Sequence, residues 1–232
     1  MKTNLPRFVP LTLGTLALAL TAWLGVHTLA ADKPAGTPPP MQITLPKYQN
    51  ADFYADGKFQ VDKAKQAYFD LMHAHGYPVP DFLRTNMWAT DFGLGDFVNV
   101  GMAGIFWVNN EQAGYFAHEI YLLPGQMIVE HGHEATGKGK AKMESWHVRH
   151  GSIYTLGEEG SPLPPTIKIP KSQEKHVTVS KYYEMRPGDI RTLNRATARH
   201  FMMGGPQGAI VSEYATFHDG DGLRFSNPGV KF

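Results

Sequence analysis

The sequence contains no cysteine. That excludes a disulfide framework, and it excludes anchoring through a lipidated cysteine. Net charge is almost as scarce, since 22 Lys and Arg stand against 21 Asp and Glu, for a formal charge of +1. Such a balance offers no general attraction to nucleic acid or to an anionic membrane surface. No internal repeat is evident, and only one segment carries convincing helical periodicity. What is present fits a single domain, or one domain with extensions: 232 residues with an ordinary hydrophobic content of 42%.

The first thirty residues differ from the rest. Lys2 and Arg7 form a short basic region, and Leu11 to Val26 carries no charge. Thr28-Leu29-Ala30 then presents small residues suited to a signal peptidase, ahead of Ala31-Asp32. The alternative is a retained inner-membrane anchor, because Leu11 to Leu29 is just long enough to span a bilayer. Gly14, Gly25 and His27 weaken it as a span, so residues 1–31 are read as a cleaved signal peptide and the mature chain as periplasmic or secreted. Losing Lys2 and Arg7 leaves 20 basic against 21 acidic residues, a net charge of −1.

Residues 32–47 hold five prolines and form an extended linker. Residues 48–96 are read as an N-terminal helical extension. Its helix spans Asp62 to His75, with Asp62 as the cap, apolar residues at helical spacing and Gly76 as the stop. Pro78 and Pro80 then break the chain. From residue 97 to 232 the pattern is of short strands rich in Val, Ile, Tyr and Phe, separated by Gly, Pro and Asn. The expected strands are Gly104–Val108, Tyr115–Leu122, Gln126–His131, Ser145–Arg149, Ser152–Leu156, Val177–Tyr183, Ile190–Leu193, Arg199–Met203, Ala209–Phe217 and Leu223–Ser226. Many short strands at close spacing predict an all-β sandwich or barrel. Residues 157–175, rich in Pro and Lys, are expected to form a long surface loop.

The densest chemistry lies at Gly125-Gln-Met-Ile-Val-Glu-His131-Gly-His133. Histidines at i and i+2 on a strand share a face, so both imidazoles can reach one ion. Glu144 follows His133 by eleven residues, and His200 sits on a later strand. Three imidazoles and a carboxylate suit Mn²⁺, Fe²⁺, Co²⁺, Ni²⁺ or Zn²⁺ and leave positions open for substrate oxygens.

This arrangement resembles the first motif of the cupin superfamily, Gly-x₅-His-x-His followed by Glu and Gly, here Glu144 and Gly151. A cupin double-stranded β-helix, or jelly-roll barrel, is therefore the expected fold. Ten residues separate His133 from Glu144, against about three or four in a typical cupin, so an extended hairpin is expected there. In the second motif, Pro-x-Gly-x-x-His, Arg195 and Thr197 replace the Pro and Gly, and only His200 remains. A closer likeness comes from Leu123-Pro-Gly-Gln126, Lys142-Met-Glu144, Val148-Arg-His-Gly151, Arg199 to Gly205, Gly208 to Tyr214 and His218-Asp-Gly-Asp221. Together these look like the D-lyxose ketol-isomerase family, from about Leu122 to the C-terminus with 157–175 unmatched.

That resemblance implies aldose–ketose isomerisation of a small sugar, pentose or hexose, through an enediol. It implies one divalent metal, Mn²⁺ first, on His131, His133, Glu144 and His200. Glu213 matches the family's glutamate after the last histidine and is expected to be the base. Lys142 lies two residues before Glu144 and is expected to orient the sugar or stabilise the enediolate oxygen. Asp221 is a candidate for binding sugar hydroxyls. His118, His147, His150, His176 and His218 are read as surface or core-edge residues, and Trp88, Trp107 and Trp146 as core rather than sugar-stacking surface. A homodimer through barrel edges is compatible with the pattern. Two other readings use the same metal set: an Fe²⁺ dioxygenase, which needs neither Lys142 nor Glu213, and a non-catalytic periplasmic sugar-binding cupin. Export predicts a mature chain beginning near Ala31 or Asp32 by intact-mass analysis of periplasmic protein; a full-length chain confined to the cytoplasm would contradict it.

Overall fold

The computed structural model describes residues 43–232; the stretch read as a signal peptide and most of the Pro-rich linker lie outside the described residues. Among the described residues no helix is long and apolar enough to cross a membrane. A 3₁₀ turn (Asn50–Phe53) and a small ribbon, β1 (Tyr54–Ala55) and β2 (Lys58–Phe59), lead into α1 (Val61–Ala74). Gln60 stands at the N-cap and makes no side-chain cap bond, so Asp62 is a first-turn residue favoured by the helix dipole rather than the cap. Its end is as expected: Gly76 at φ +65° donates to His73 O, and Tyr77 donates to Met72 O, satisfying carbonyls that the helix leaves open. The sequence reading did not anticipate the small ribbon or the second helix. α2 (Asp81–Asn86) starts directly after Pro80, which serves as its N-terminal boundary instead of only breaking the chain.

The rest is the expected all-β jelly-roll. The strands are β3 (Trp88–Thr90), β4 (Met102–Asn110), β5 (Tyr115–Leu122), β6 (His131–His133), β7 (Glu144–Gly157), β8 (Ser161–Pro162), β9 (Lys181–Met185), β10 (Ile190–Thr192), β11 (Phe201–Thr216) and β12 (Leu223–Phe225). The large antiparallel sheet runs β3-β4-β5-β11-β7-β9-β8, with β10 also on β7, and β6 pairs β12 in a second sheet. β3 lies within the stretch read as the helical extension. Two pairs of expected strands are single long strands, β7 and β11. Their pairing shifts register between Gly204 and Ala209; there Gly151 and Gly208 have φ near +70°, and a Cβ on either would overlap a neighbouring backbone oxygen. Glycine alone fits both conditions. Along Gln126–His131 the chain passes beside the start of β11 through the pairs Met127↔Met203 and His131↔His200, and this closes the barrel.

The two faces of the large sheet carry different cores. Inside the barrel Ile120, Leu122, Val148, Ile153 and Val211 pack together. Outside, α1 buries Ala64, Tyr68, Leu71 and Met72 against Ile105, Tyr121 and Ile210. Tyr68 donates to Gln126 Oε1 at 2.6 Å, and Gln126 donates onward to Phe97 O at 2.5 Å, so the helix is tied to the chain entering the His-x-His strand. Residues 157–175 are mostly irregular, yet not merely surface: Leu163, Ile167 and Ile169 cover Phe201 and Met203.

Candidate active site

β6 points His131 and His133 into the barrel, as alternation requires. Glu144 opens β7, and His200 immediately precedes β11, opposite His131. Their ligand atoms all lie within 4.8 Å of one another, and only His131 retains appreciable exposure. The imidazole tautomers follow from their partners. His131 Nδ1 lies 2.9 Å from Val129 O and His200 Nδ1 lies 2.9 Å from Ala198 O. A carbonyl only accepts, so each Nδ1 carries the proton and each Nε2 turns a lone pair inward. His133 Nε2 and His200 Nε2 are buried without a hydrogen-bond partner. Both crowd the Glu144 carboxylate, at 3.5 Å and 2.5 Å. Buried bare nitrogens converging on a carboxylate are what a divalent ion needs, so the residues fit the metal that the sequence implied.

Lys142 and Glu213 join this group. The chain is extended at Lys142, where Thr216 N–H donates to Met143 O and Met143 N–H donates to Thr216 Oγ1, so Lys142 and Glu144 share a side. Lys142 Nζ lies 2.7 Å from Glu144 Oε2 and also pairs with Glu213 Oε1. Both carboxylates are about 3–4% exposed and the lysine 8%. Glu213 on β11 stands directly opposite His118 on β5, and His118 Nδ1 meets Glu213 Oε2 at 3.1 Å.

The electrostatics are mutual. Burial works against the Lys142 ammonium, but Glu144 and Glu213 outweigh it and hold its pKa above the ordinary value. Burial likewise opposes the Glu144 carboxylate, and Lys142 and His200 more than reverse this, placing it well below the carboxylate range. Glu213 is lowered against its own burial, chiefly by Lys142. Burial leaves His131 and His133 with depressed pKa values and hence neutral, the form that binds a metal. His218, also desolvated, falls to about 4.

Several residues lie elsewhere than expected. Asp221 does not join the cluster: its side chain is 78% exposed in a 3₁₀ turn, paired with Lys138 at 3.2 Å. The long hairpin after His133 carries that lysine, and it draws Asp221 outward. His118 and His218, read as edge residues, line the site cavity, as do Trp88 and Trp146. Trp107 is on the outside, 39% exposed and stacked on Phe82. His147 lies on the other face of β7 from Glu144.

No family model matches the chain. Among curated proteins it is 30% identical over 174 residues to the D-lyxose/D-mannose isomerase of Thermosediminibacter oceani, covering 75% of this chain and 94% of that one. The chain belongs to the D-lyxose ketol-isomerase family. A D-lyxose ketol-isomerase of a Thermofilum species is 31% identical over 172 residues, covering 74% of this chain and 93% of the relative. In fold, the family member resembles the L-ribose isomerase of Acinetobacter, with TM-score 0.58 and 17% identity, over 73% of this chain and 90% of that one.

The cluster predicts a selective loss of metal. After loading with Mn²⁺ and dialysis, His133→Ala and His200→Ala should each retain less than about a tenth of the wild-type metal, as ligand removal demands. Asp221→Ala should retain it fully. Elemental analysis showing full occupancy in both histidine variants would refute the site.

Proposed function

We propose that this chain is a metal-dependent aldose–ketose isomerase, acting on a small sugar of the D-lyxose/D-xylulose type through an enediol. The observation that carries the proposal is Glu213: a buried carboxylate, 3% exposed, held by Lys142 and His118 in the same cavity as the metal set. In this reading His131, His133, Glu144 and His200 hold one divalent ion, with Mn²⁺ the first choice. When bound, that ion polarises the oxygens on the reacting carbons.

The protein's own groups account for the proton movements. With its pKa held down, Glu213 is a carboxylate at neutral pH and so is ready to accept. It takes the proton from C2 of the aldose, the C2–H electron pair becomes the C1–C2 double bond, the carbonyl pair moves onto O1, and an enediolate results. Returning that proton to C1, while the hydroxyl proton moves from O2 to O1, yields the ketose with atoms and charge balanced. Lys142 stays protonated and donates to the oxygen on which negative charge develops. His118 orients Glu213 from behind. An Fe²⁺ dioxygenase has no need of this lysine–glutamate pair, and a passive sugar binder has no need of a buried base; neither reading explains the geometry as well.

Glu213→Gln tests the assignment. The variant should keep its metal and its sugar affinity while kcat falls by about 10²–10⁴-fold, the usual cost of losing a general base. Lys142→Ala should also lower kcat while disturbing metal content less than Glu144→Ala. Aldose and ketose separated by chromatography give the readout, and full activity in Glu213→Gln would overturn the proposed base.

A further inference from the structure

A sugar carries hydroxyl groups along its whole chain, and each gives up water on entering the cavity, so each needs a partner there. Among the described residues that line the cavity, none is Ser, Thr, Asn, Gln, Asp, Arg or Tyr. Beyond Lys142, the two glutamates and the metal histidines, polar side-chain atoms come only from the rings of Trp88, Trp146, His118 and His218. Three of their nitrogens are buried without a hydrogen-bond partner: Trp88 Nε1, His118 Nε2 and His218 Nδ1. All three rings surround Phe106, at 5.6, 5.0 and 5.5 Å between centroids. They form one wall.

The three nitrogens are not equivalent. His118 is engaged with Glu213 through Nδ1, and its Nε2 turns toward β4, where a Cβ on Gly104 would overlap it. His218 donates or accepts at Nδ1 according to its tautomer. Trp88 Nε1 can only donate, so the partner it lacks is a lone pair. Its ring is fixed from several sides. It stacks on His118 at 5.6 Å and meets Phe106 and Phe232 edge-on, at 5.6 and 5.8 Å. Trp88 also stands opposite Gly104 in the β3–β4 register, and a Cβ there would crowd Trp88 Cζ2. The residue as a whole is half-buried, yet its nitrogen is shut away from solvent. A buried N–H held without an acceptor is destabilising, and an indole fixed in this way calls for one.

The reacting carbons already have their partners. In the isomerase reading the oxygens on C1 and C2 fall to the metal set and Lys142, and the C2 proton to Glu213. Trp88 lies one ring beyond Glu213, on the face of His118. Resting on that reading, we infer that Trp88 is a specificity-determining residue whose indole N–H donates to a sugar hydroxyl oxygen beyond C2. No charge develops on that oxygen during the reaction. The bond is therefore equally strong before and at the transition state, and it acts on KM rather than on kcat.

Trp88→Phe removes the N–H and keeps an aromatic ring over His118. With the Mn²⁺-loaded chain, kcat/KM is measured for D-lyxose and for its 3-deoxy, 4-deoxy and 5-deoxy analogues. On D-lyxose the variant should lose about five- to thirtyfold, mostly in KM, as expected for one neutral hydrogen bond in a closed site. On one deoxy sugar, the one without the hydroxyl that Trp88 holds, variant and wild type should be equal. Each sugar is compared with itself, so differences in ring closure among the analogues cancel. An equal loss on every sugar would mean that Trp88 only packs, and no loss on any that it contributes nothing. Either result overturns the inference and leaves the isomerase reading intact. If the wild type isomerises none of these sugars, the isomerase reading fails and calorimetry of sugar binding decides. Weaker binding of D-lyxose by Trp88→Phe, with one deoxy analogue unaffected, supports the N–H contact; any other pattern refutes it.

Discussion

Glu144 and Glu213 are both buried in the barrel, and they remain ionised there because Lys142 is buried between them. Remove the ammonium and two carboxylates face one another in a medium that solvates neither. Keep it, and the pair divides its labour, Glu144 turning toward the histidines and Glu213 toward His118. Such an ion triad adds little to stability in itself, since desolvation offsets the attraction. Its value is geometric: one lysine fixes the distance between a carboxylate of the candidate metal set and the carboxylate proposed as the base.

The fold is arranged to deliver those side chains. Lys142, Glu144 and Trp146 alternate onto one side as the chain enters β7, and Glu213 arrives on the same face because β11 lies alongside. The glycines at 151 and 208 sit where the pairing of the two long strands shifts register, and beyond that point residues 211–215 run in one continuous register with 144–148. The histidine pair stands on the separate β6–β12 sheet, so the strand that supports His131 and His133 also brings Leu223 and Phe225 into the cavity. Outside, α1 braces the entering chain through Tyr68 and Gln126. One two-stranded support therefore carries two histidines of the candidate metal set and two apolar side chains of the cavity wall.

Much of this was readable in the residues. Tyr115–Leu122 has the bounds expected of it, and the spacing of His131, His133, Glu144 and His200 singled out the group that the structure brings together. The misses have physical causes. β5 is buried on both faces, by the barrel core and by α1, so it shows no alternation that would mark His118 as inward and Glu119 as outward. Phe92 and Phe232 come from irregular segments 140 residues apart in sequence, and no local pattern announces that they meet. Asp221 misled because a carboxylate near a motif looks available until a distant lysine is seen to claim it. α2 was lost to the habit of reading proline as a stop, although it also opens helices.

The proposed isomerisation depends on Glu213 carrying a proton between adjacent carbons of the sugar. Isomerisation in ²H₂O tests it most directly, with product and recovered substrate read by NMR. Proton transfer through a carboxylate predicts deuterium at C1 of the ketose and at C2 of the recovered aldose. Ketose formed with the substrate's own hydrogen wholly retained, in both directions of the reaction, would contradict it and point to a direct shift of hydrogen between the carbons.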